Sequence, residues 1–395
     1  MGKSKTNNYF KSLSKGGKSA FIIITIFVTM ALIIGLILLI GVIGTYINIS
    51  YAKNLEPIGS TYTPTCDSEN YWTFKLNDGD EDFKVVQLSD IHLGGGCFSL
   101  AKDRKAIDSV YSLIKYNKPD MIAVTGDIIY PFIYSAGTKN NSRSTKMYLA
   151  LMDAMEIPYC TVFGNHETEV LTHKSRAELG EMLENGEYSL YKPQSGNGED
   201  VYGEGNYLVK VLRQDDSIHS AYIFMDSNSY TDLNKIVGSD YDRIHDDQVE
   251  WYKTEVDKLN GAKSFLFIHI PLQEYQEGWD AVVAGQENAK YYLGYKAEGI
   301  YPGKENSYIF DAILEKGSTL GVFCGHDHVN NFSIEYKGIR LTYALSIDFL
   351  AYFGIENSNF QRGANILTSY GDENFDISQC VLAGIVGYKK KYKLD

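Results

Sequence analysis

Apolar residues divide the chain into two unequal parts. Residues 20–47 contain no Asp, Glu, Lys, Arg or His. A helix needs about 20 such residues to cross a bilayer, so this run predicts a transmembrane helix. A cleaved signal peptide is the alternative, but its apolar core is normally only about 7–15 residues long. The length therefore favours a retained anchor.

After the anchor the pattern changes twice. Residues 48–80 are mixed and polar, with Pro57, Gly59 and Pro64, which predicts a stalk or linker. Beyond it, short apolar runs alternate with segments of helical spacing, as in an α/β domain with a mainly parallel sheet. The predicted strands are 83–88, 121–124, 159–163, 221–225, 264–268 and 320–324, with helices near 107–114, 144–155 and 246–259 and a hairpin around Lys337-Gly338. We assign residues 81–380 to this domain and 381–395 to a C-terminal tail.

Charge differs sharply between the two ends of the chain. Residues 1–19 carry five lysines and no acid, residues 20–47 are uncharged, and the whole chain has a net charge of −13, so the remainder carries −18. Such an acidic domain is a poor match for nucleic-acid phosphates, and no nucleic-acid partner is expected. The lysines predict a cytoplasmic basic tail over residues 1–19. The large domain would then lie in the lumen of the secretory pathway or outside the cell.

The five cysteines show no CxxC spacing, which excludes a zinc ribbon and a thioredoxin-like motif. Cys160 and Cys324 lie in apolar runs, where reduced core thiols are expected. One disulfide among Cys66, Cys97 and Cys380 is left open, because an oxidising compartment would permit it. Three sequons are compatible with a glycoprotein; they begin at Asn48, Asn140 and Asn331.

Polar side chains follow five of the predicted strands directly. Their order along the chain is Asp90 and His92, Asp127, Asn165-His166-Glu167, His269, and His326-Asp327-His328. Open α/β sheets build their sites at the carboxyl ends of their strands. Each block alone has an ordinary explanation, such as a turn at Asn165 or a hydrogen-bonded core histidine at His269. Five such blocks, each after an apolar run, indicate one site.

The mixture of carboxylate, imidazole and amide oxygen suits metals such as Mn, Fe or Zn. One aspartate can bridge two ions. Two ions about 4 Å apart can clamp the entering and leaving oxygens of an in-line displacement, and a metal-bound hydroxide can serve as the nucleophile. The site therefore favours hydrolysis of a phosphate ester with two divalent or trivalent metal ions.

These blocks, Asp90-x-His92, Gly126-Asp127, Gly164-Asn165-His166-Glu167, His269 and Gly325-His326-x-His328, resemble the calcineurin-like metallophosphoesterase superfamily. More locally, His269-Ile270-Pro271-Leu272, the segment after Gly325 and Arg362-Gly363 are similar to its small purple-acid-phosphatase-like branch. The branch's glycine-rich segment is altered here to Ser346-Ile347-Asp348-Phe349-Leu350. The resemblance implies a four-layer αββα sandwich of mixed sheets.

The resemblance also implies roles for the site residues. The first metal would be held by Asp90, His92, Asp127 and His328, and the second by Asp127, Asn165, His269 and His326. His166 would be the catalytic residue that orients phosphate and protonates the leaving oxygen, with Glu167 or Asp327 as its support. Tyr130 fits the Gly-Asp-x-x-Tyr spacing of true purple acid phosphatases. We favour His92 over Tyr130 as the ligand, because one site rarely needs both.

The predicted function is a membrane-anchored, acid-phosphatase-like hydrolase of phosphate monoesters. Its partners would be a phosphorylated small molecule or phosphoprotein and the membrane around residues 20–47. Three alternatives are carried forward: a phosphodiesterase or nucleotide pyrophosphatase on the same scaffold, a catalytically silent tethered binding protein, and a hydrolase of membrane lipid phosphates. The sequence shows no amphipathic lipid-docking helix for the last of these.

Overall fold

The computed structural model describes residues 10–196, 198–231, 240–352 and 362–392. Residues 1–9 of the predicted basic tail and 393–395 of the predicted C-terminal tail lie outside this part. The helices are Lys15–Lys53, Leu100–Asn117, Asn141–Asp153, Arg176–Glu184, Asp246–Asp257, Glu274–Val283, Ile309–Lys316 and Val386–Tyr392. The strands are β1 Thr65–Cys66, β2 Trp72–Lys75, β3 Phe83–Leu88, β4 Met121–Thr125, β5 Tyr159–Val162, β6 Tyr207–Leu212, β7 Ile218–Phe224, β8 Ser264–Phe267, β9 Ala289–Leu293, β10 Thr319–Cys324, β11 Ser333–Tyr336, β12 Ile339–Tyr343, β13 Gly363–Ser369 and β14 Phe375–Val381.

The strands form two mixed sheets. One has the order β1-β2-β6-β7-β8-β10-β12-β11-β9, and the other has the order β14-β13-β3-β4-β5. Strands β3, β4 and β5 are parallel neighbours, as are β7, β8, β10 and β12. The six strands predicted from the apolar runs are confirmed, and so is the hairpin of β11 and β12.

Alternation along the central strands explains the four layers. On β7, Tyr222 and Phe224 belong to the core between the sheets, whereas Ala221 and Ile223 belong to the core beneath the outer helices. Successive side chains of a strand point to opposite faces, so a strand that is apolar at every position is covered on both sides. The predicted α/β sandwich with mixed sheets is confirmed.

The N-terminal helix is longer than the predicted span and is not followed by a free stalk. It runs from Lys15 to Lys53 and is apolar enough to cross a membrane by length and composition. From Gly41 onwards one face is buried against the domain. There the Asn48 side chain donates to the Leu100 carbonyl oxygen (2.9 Å) and accepts from Arg104 (2.8 Å). Asn48, predicted as a sequon, is therefore buried and bonded in the folded chain.

The rest of the predicted stalk, residues 48–80, also belongs to the folded domain. Strand β2 pairs in parallel with β6, and β1 pairs with β2, so this segment forms an edge of the larger sheet. The predicted C-terminal tail is likewise packed. Tyr388 is buried, and its hydroxyl lies 2.9 Å from Ser109 Oγ on helix Leu100–Asn117. Because both segments are rich in polar residues, the sequence did not indicate which of their positions are buried.

Two further sequence expectations concern accessible side chains. All five cysteines are free in the described structure, so the disulfide considered among Cys66, Cys97 and Cys380 is not formed. Asn331 is buried, and its backbone and side chain bond to neighbouring loops. Of the three sequons, Asn140 alone is partly exposed.

Candidate metal centre

The polar loops after β3, β4, β8 and β10 are tied to each other by backbone hydrogen bonds. Asp90 N–H donates to Gly126 O (3.1 Å), and His92 N–H donates to Asp127 O (3.0 Å). Across the other sheet, Gly325 N–H donates to His269 O (3.1 Å). Parallel pairing within each sheet aligns the carboxyl ends of its strands. His269 Nδ1 lies 2.8 Å from Thr125 O, a contact that links the two sheets at this edge.

Four of the predicted ligands sit in an unfavourable backbone conformation. The φ angles of Asp90, His92, Asp127 and His326 are 51°, 54°, 49° and 77°. A side chain in this left-handed region costs about 1 kcal/mol or more, and such strain is concentrated at functional sites. Close packing of the loops maintains it: a side chain at Gly164 would collide with the Asp127 carboxylate.

One group of ligand atoms is formed by Asp90, His92, Asp127 and His328, all buried and within 4.8 Å of one another. His92 Nε2 lies 3.4 Å from Asp127 Oδ2 and 3.8 Å from Asp90 Oδ1. His328 Nε2 lies 3.4 Å from Asp90 Oδ1. These are the four residues that the resemblance assigned to the first metal.

A second group is formed by Asp127, His269 and His326, again buried and within 4.8 Å. His269 Nε2 lies 3.4 Å from Asp127 Oδ2 and 3.1 Å from Asn165 Oδ1. The amide of Asn165 donates its Nδ2–H to the Tyr230 hydroxyl (2.9 Å), which turns its oxygen toward the site. Asp127 is common to both groups, as expected of a bridging carboxylate.

The donor set fits a pair of bound cations. His92 Nε2 and Asp127 Oδ2 are buried and have no hydrogen-bond partner among the described residues. An orphaned imidazole nitrogen facing an orphaned carboxylate oxygen is costly unless an ion lies between them. Burial alone would raise the pKa of the Asp127 carboxyl, but His269 and His166 hold it well below its usual range. Asp127 is therefore an ionised carboxylate, as metal binding requires.

His166 lies at the open side of this centre. Its side chain is 21% exposed, and its Nε2 is 3.9 Å from Asp127 Oδ2. Its Nδ1 lies 2.6 Å from Glu169 Oε1, a partner that the sequence analysis missed. Glu167 and Asp327, which were predicted to support His166, serve elsewhere. The carboxylate of Glu167 accepts from Ile128 N–H (2.6 Å) and Gly164 N–H (2.7 Å) and joins two ligand loops.

Asp327 is also occupied by other partners. Its Oδ2 accepts from the Tyr343 hydroxyl (2.5 Å) and from Tyr301 N–H (3.2 Å). Burial raises the pKa of Asp327 to about 7. The residue therefore anchors the loop between the two histidines of Gly325-His326-Asp327-His328, rather than orienting His166.

Comparison with known proteins agrees with this geometry. The family model of the calcineurin-like phosphoesterases matches residues 83–330, more than half of the chain. The chain belongs to this family. Phosphatase DCR2 of Saccharomyces cerevisiae is 31% identical over 282 residues, which are 66% of this chain and 46% of the yeast protein. The chain thus matches less than half of that relative.

Two further similarities were found. A protein of Arabidopsis thaliana named "Probable inactive purple acid phosphatase 29" is 28% identical over 69% of this chain and 73% of its own length. The crystal structure of a dimetal phosphatase from Danio rerio aligns with 76% of this chain and 96% of its own, at 14% identity and a TM-score of 0.49.

Tyr130 lies beside the centre of this phosphoesterase. Its ring stacks on His92, with centroids 5.2 Å apart and planes at 26°, and meets the ring of His166 edge-on at 4.7 Å. Burial raises the pKa of the Tyr130 hydroxyl to about 12. The tyrosine therefore forms a wall between the first ligand group and His166.

Asp348 is the second functional residue that the sequence analysis did not identify. Its carboxylate lies 3.3 Å from His328 Nδ1 and 3.8 Å from His92 Nδ1, on the side of each ring away from the ligand nitrogen. It also accepts from the backbone N–H groups of Leu350, Ala351 and Tyr352. Burial alone would raise the pKa of Asp348, but the two histidines hold it well below its usual range. Such carboxylates fix the tautomer and orientation of metal-binding imidazoles.

The position of Asp348 is maintained by Arg362, which is fully buried. The arginine Nε donates to the Asp348 carbonyl oxygen (2.9 Å), and its guanidinium lies 4.1 Å from the centre of the Phe349 ring. A signal was present in the sequence, because Asp348 follows strand β12, Ile339–Tyr343, after only four residues. The altered glycine-rich segment thus supplies an outer contact to the first ligand group.

Proposed function

We propose that this protein is a membrane-anchored, metal-dependent phosphatase that hydrolyses phosphate monoesters. The observation that carries the proposal is the pair of buried ligand groups that share Asp127, with His166 at their open side. Membership of a phosphoesterase family and the phosphatase names of its relatives support the same reaction class. The preference for monoesters rests on those names.

Different residues of the site have different roles in the proposed reaction. Asp90, His92, Asp127 and His328 would hold one ion, and Asp127, Asn165, His269 and His326 the other. Bound there, the two ions would supply Lewis acidity toward the phosphoryl oxygens and an activated water.

His166 is placed to handle the proton of the leaving group. Its Nδ1–H donates to the Glu169 carboxylate, which leaves Nε2 directed into the site. The Glu169 carboxylate fixes the orientation of the imidazole, so that Nε2 can bind a phosphoryl oxygen and transfer a proton to the departing alkoxide. Glu169 is therefore assigned as the positioning residue of the general acid.

The test is hydrolysis of an aryl phosphate by the full-length chain in detergent, before and after chelation and after return of Mn, Zn or Fe. The full chain is needed because residues 41–53 pack on the domain. Activity that disappears on chelation and returns with metal is expected. Asp127→Asn should lower the rate by at least about 10²–10³-fold, whereas the exposed Asp216→Asn should not change it.

The same assay separates the alternatives. A bis-aryl phosphate that is hydrolysed faster than the aryl phosphate would favour a diesterase. A folded, metal-loaded chain that hydrolyses neither would favour a silent binding protein, in line with the name of the Arabidopsis relative. Resistance of the full chain to alkaline extraction from membranes tests the anchor, and protease protection in sealed vesicles tests the predicted orientation with a cytoplasmic N-terminus.

A further inference from the structure

One loop of the catalytic domain packs directly against the N-terminal helix, and a second loop packs on the first. These loops, residues 93–99 and 131–138, are called the rim below. A side chain at Gly41 of the helix would lie 2.8 Å from Cys97 N, and Phe98 N–H donates to Ala136 O (3.1 Å). A side chain at Gly137 would lie 2.8 Å from Cys97 Sγ. The helix and both loops therefore form one close-packed unit without a spacer.

The position of this contact along the helix gives the depth of the rim. At 1.5 Å per residue, the roughly 30 Å hydrocarbon core of a bilayer takes about 20 residues. The basic residue Lys18 lies at the near end, so a span of this length ends close to residue 40. Gly41 and the rim beside it would then lie at the edge of the hydrocarbon core. Ile43, Tyr46 and Ile47, farther along the helix, are still apolar and exposed.

The rim exposes large apolar side chains, as expected at that depth in a membrane. Phe98 is 58% exposed, Ile133 46% and Tyr134 84%. Large apolar side chains grouped on loop tips are characteristic of interaction sites, and aromatic rings in particular prefer the boundary between lipid and water. The lipid of the anchor's own bilayer is the nearest apolar phase that could cover them.

Charge around the rim points to the same partner. Residues 93–105 and 131–146 contain six basic residues and a single acid, within a chain whose residues beyond the anchor total −18. The acid, Asp103, is buried and accepts from Gly94 N–H and Gly95 N–H. These basic residues flank the apolar tips along the sequence, and Lys139 lies beside the Phe132 ring; cationic side chains near a membrane are attracted to the phosphate groups of lipids.

A line of aromatic rings joins the rim to the phosphoesterase centre. Tyr134 lies 5.7 Å from Phe132, Phe132 lies 5.7 Å from Tyr130, and Tyr130 lies 4.7 Å from His166. Lys139 Nζ is 4.8 Å from the centre of the Phe132 ring, at the side of this line. Three successive ring contacts therefore connect His166 to Tyr134 of the rim.

We propose that the rim inserts Phe98, Ile133 and Tyr134 into the lipid–water interface and holds the entrance of the site at the headgroup layer, so that the substrate is a phosphate monoester of a membrane lipid. This inference rests on the proposed anchor and phosphatase activity, and it adds the substrate class. A separate lipid-docking helix is then unnecessary, because the rim itself contacts the lipid.

The depth of the rim can be measured without an activity assay. The variants Tyr134→Trp and Val283→Trp and the wild type are placed in nanodiscs of lipids that are brominated near the headgroup. Bromine quenches the fluorescence of a nearby tryptophan, so the quenching of each added tryptophan reports its contact with lipid. Val283 is a matched control, because it is 72% exposed but lies on a helix that covers the other sheet. Quenching of the added fluorescence at 134 and not at 283 is expected. Equal quenching at both positions, or none at 134 in a chain that resists alkaline extraction, overturns the proposal.

The substrate class is tested by comparing phosphatidic acid in the same nanodiscs with a soluble aryl phosphate. The triple change Phe98→Ser, Ile133→Ser and Tyr134→Ser removes the apolar side chains that would keep the entrance at the lipid–water interface. It should lower the rate on phosphatidic acid, relative to the rate on aryl phosphate, about tenfold. Val283→Ser should leave the ratio unchanged. An active chain that hydrolyses aryl phosphate but not phosphatidic acid, or a ratio unaffected by the triple change, refutes the inference and leaves the phosphatase itself intact. Loss of aryl phosphate hydrolysis in wild type would instead refute the proposed function.

Discussion

Replacing Asp348 by asparagine should weaken one metal site and spare the other. The side chain keeps its shape but loses the charge that faces Nδ1 of His92 and His328. Both histidines belong to the first ligand group. The second group, Asp127, His269 and His326, receives no contact from Asp348 among the described residues. The change therefore acts on one ion of the pair.

The size of the effect follows from the role of such outer carboxylates. Removing one typically weakens metal binding about 10–100-fold, which corresponds to about 1.4–2.8 kcal/mol. Since Asp348 faces two ligand histidines at 3.3 and 3.8 Å, we expect a value toward the upper end. An asparagine oxygen in the place of Oδ1 can still accept from Leu350 N–H and Ala351 N–H, and only the bond from Tyr352 N–H is lost, so most of the loop structure should persist.

Calorimetric titration of the metal-free full chain with Zn or Mn measures this directly. Wild type should bind two ions, and Asp348→Asn should retain one of them with unchanged affinity. Asp103→Asn is a matched control, because its buried carboxylate also accepts from loop backbone N–H groups but contacts no histidine. Wild-type affinity for both ions in Asp348→Asn, or equal weakening of both, would refute the reasoning.

Three further outcomes are expected. Glu169→Gln should lower the rate about 10–10²-fold, because His166 loses the charged partner that orients its ring; steady-state kinetics with an aryl phosphate measure the effect. Gly41→Leu should destabilise the packing of the helix by about 1–3 kcal/mol, and limited proteolysis after residue 53 should then become faster. Arg176→Met should cost about 3–5 kcal/mol in denaturant unfolding, since Asp226, 2.6 Å away, becomes a buried unpaired charge. An Arg176→Met chain as stable as wild type would contradict that last assignment.

The elements and the ligands could be predicted from the sequence because their signals are local. An apolar run of four to six residues followed by Asp, Asn or His predicts both a strand and the candidate ligand at its end. Asp90, His92, Asp127, His269 and His328 were all recognised in this way, and the structure brings them together. Parallel strands of one sheet end at the same edge, which gathers the ligands within each sheet. The meeting of Asp127 from one sheet with His269 from the other also required the two sheets to pack together.

The supporting contacts were decided by the tertiary structure alone. Glu169, rather than Glu167, meets His166, because Glu167 turns inward to two backbone N–H groups. Asp348 reaches His92 from the far end of the chain, through a loop whose path depends on Arg362. No local sequence pattern indicates that residues so far apart in the chain come into contact.

The anchor shows the same division. Its apolar composition determined that residues 20–47 form a helix able to cross a bilayer, since twenty or more uncharged residues have few other stable environments. Its docking at Gly41 depends on the absence of a side chain there and on the path of two distant loops. Composition and periodicity thus determined which elements form and which residues are candidate ligands. Packing between distant segments decided which acids support the histidines and how closely the site lies to the N-terminal helix.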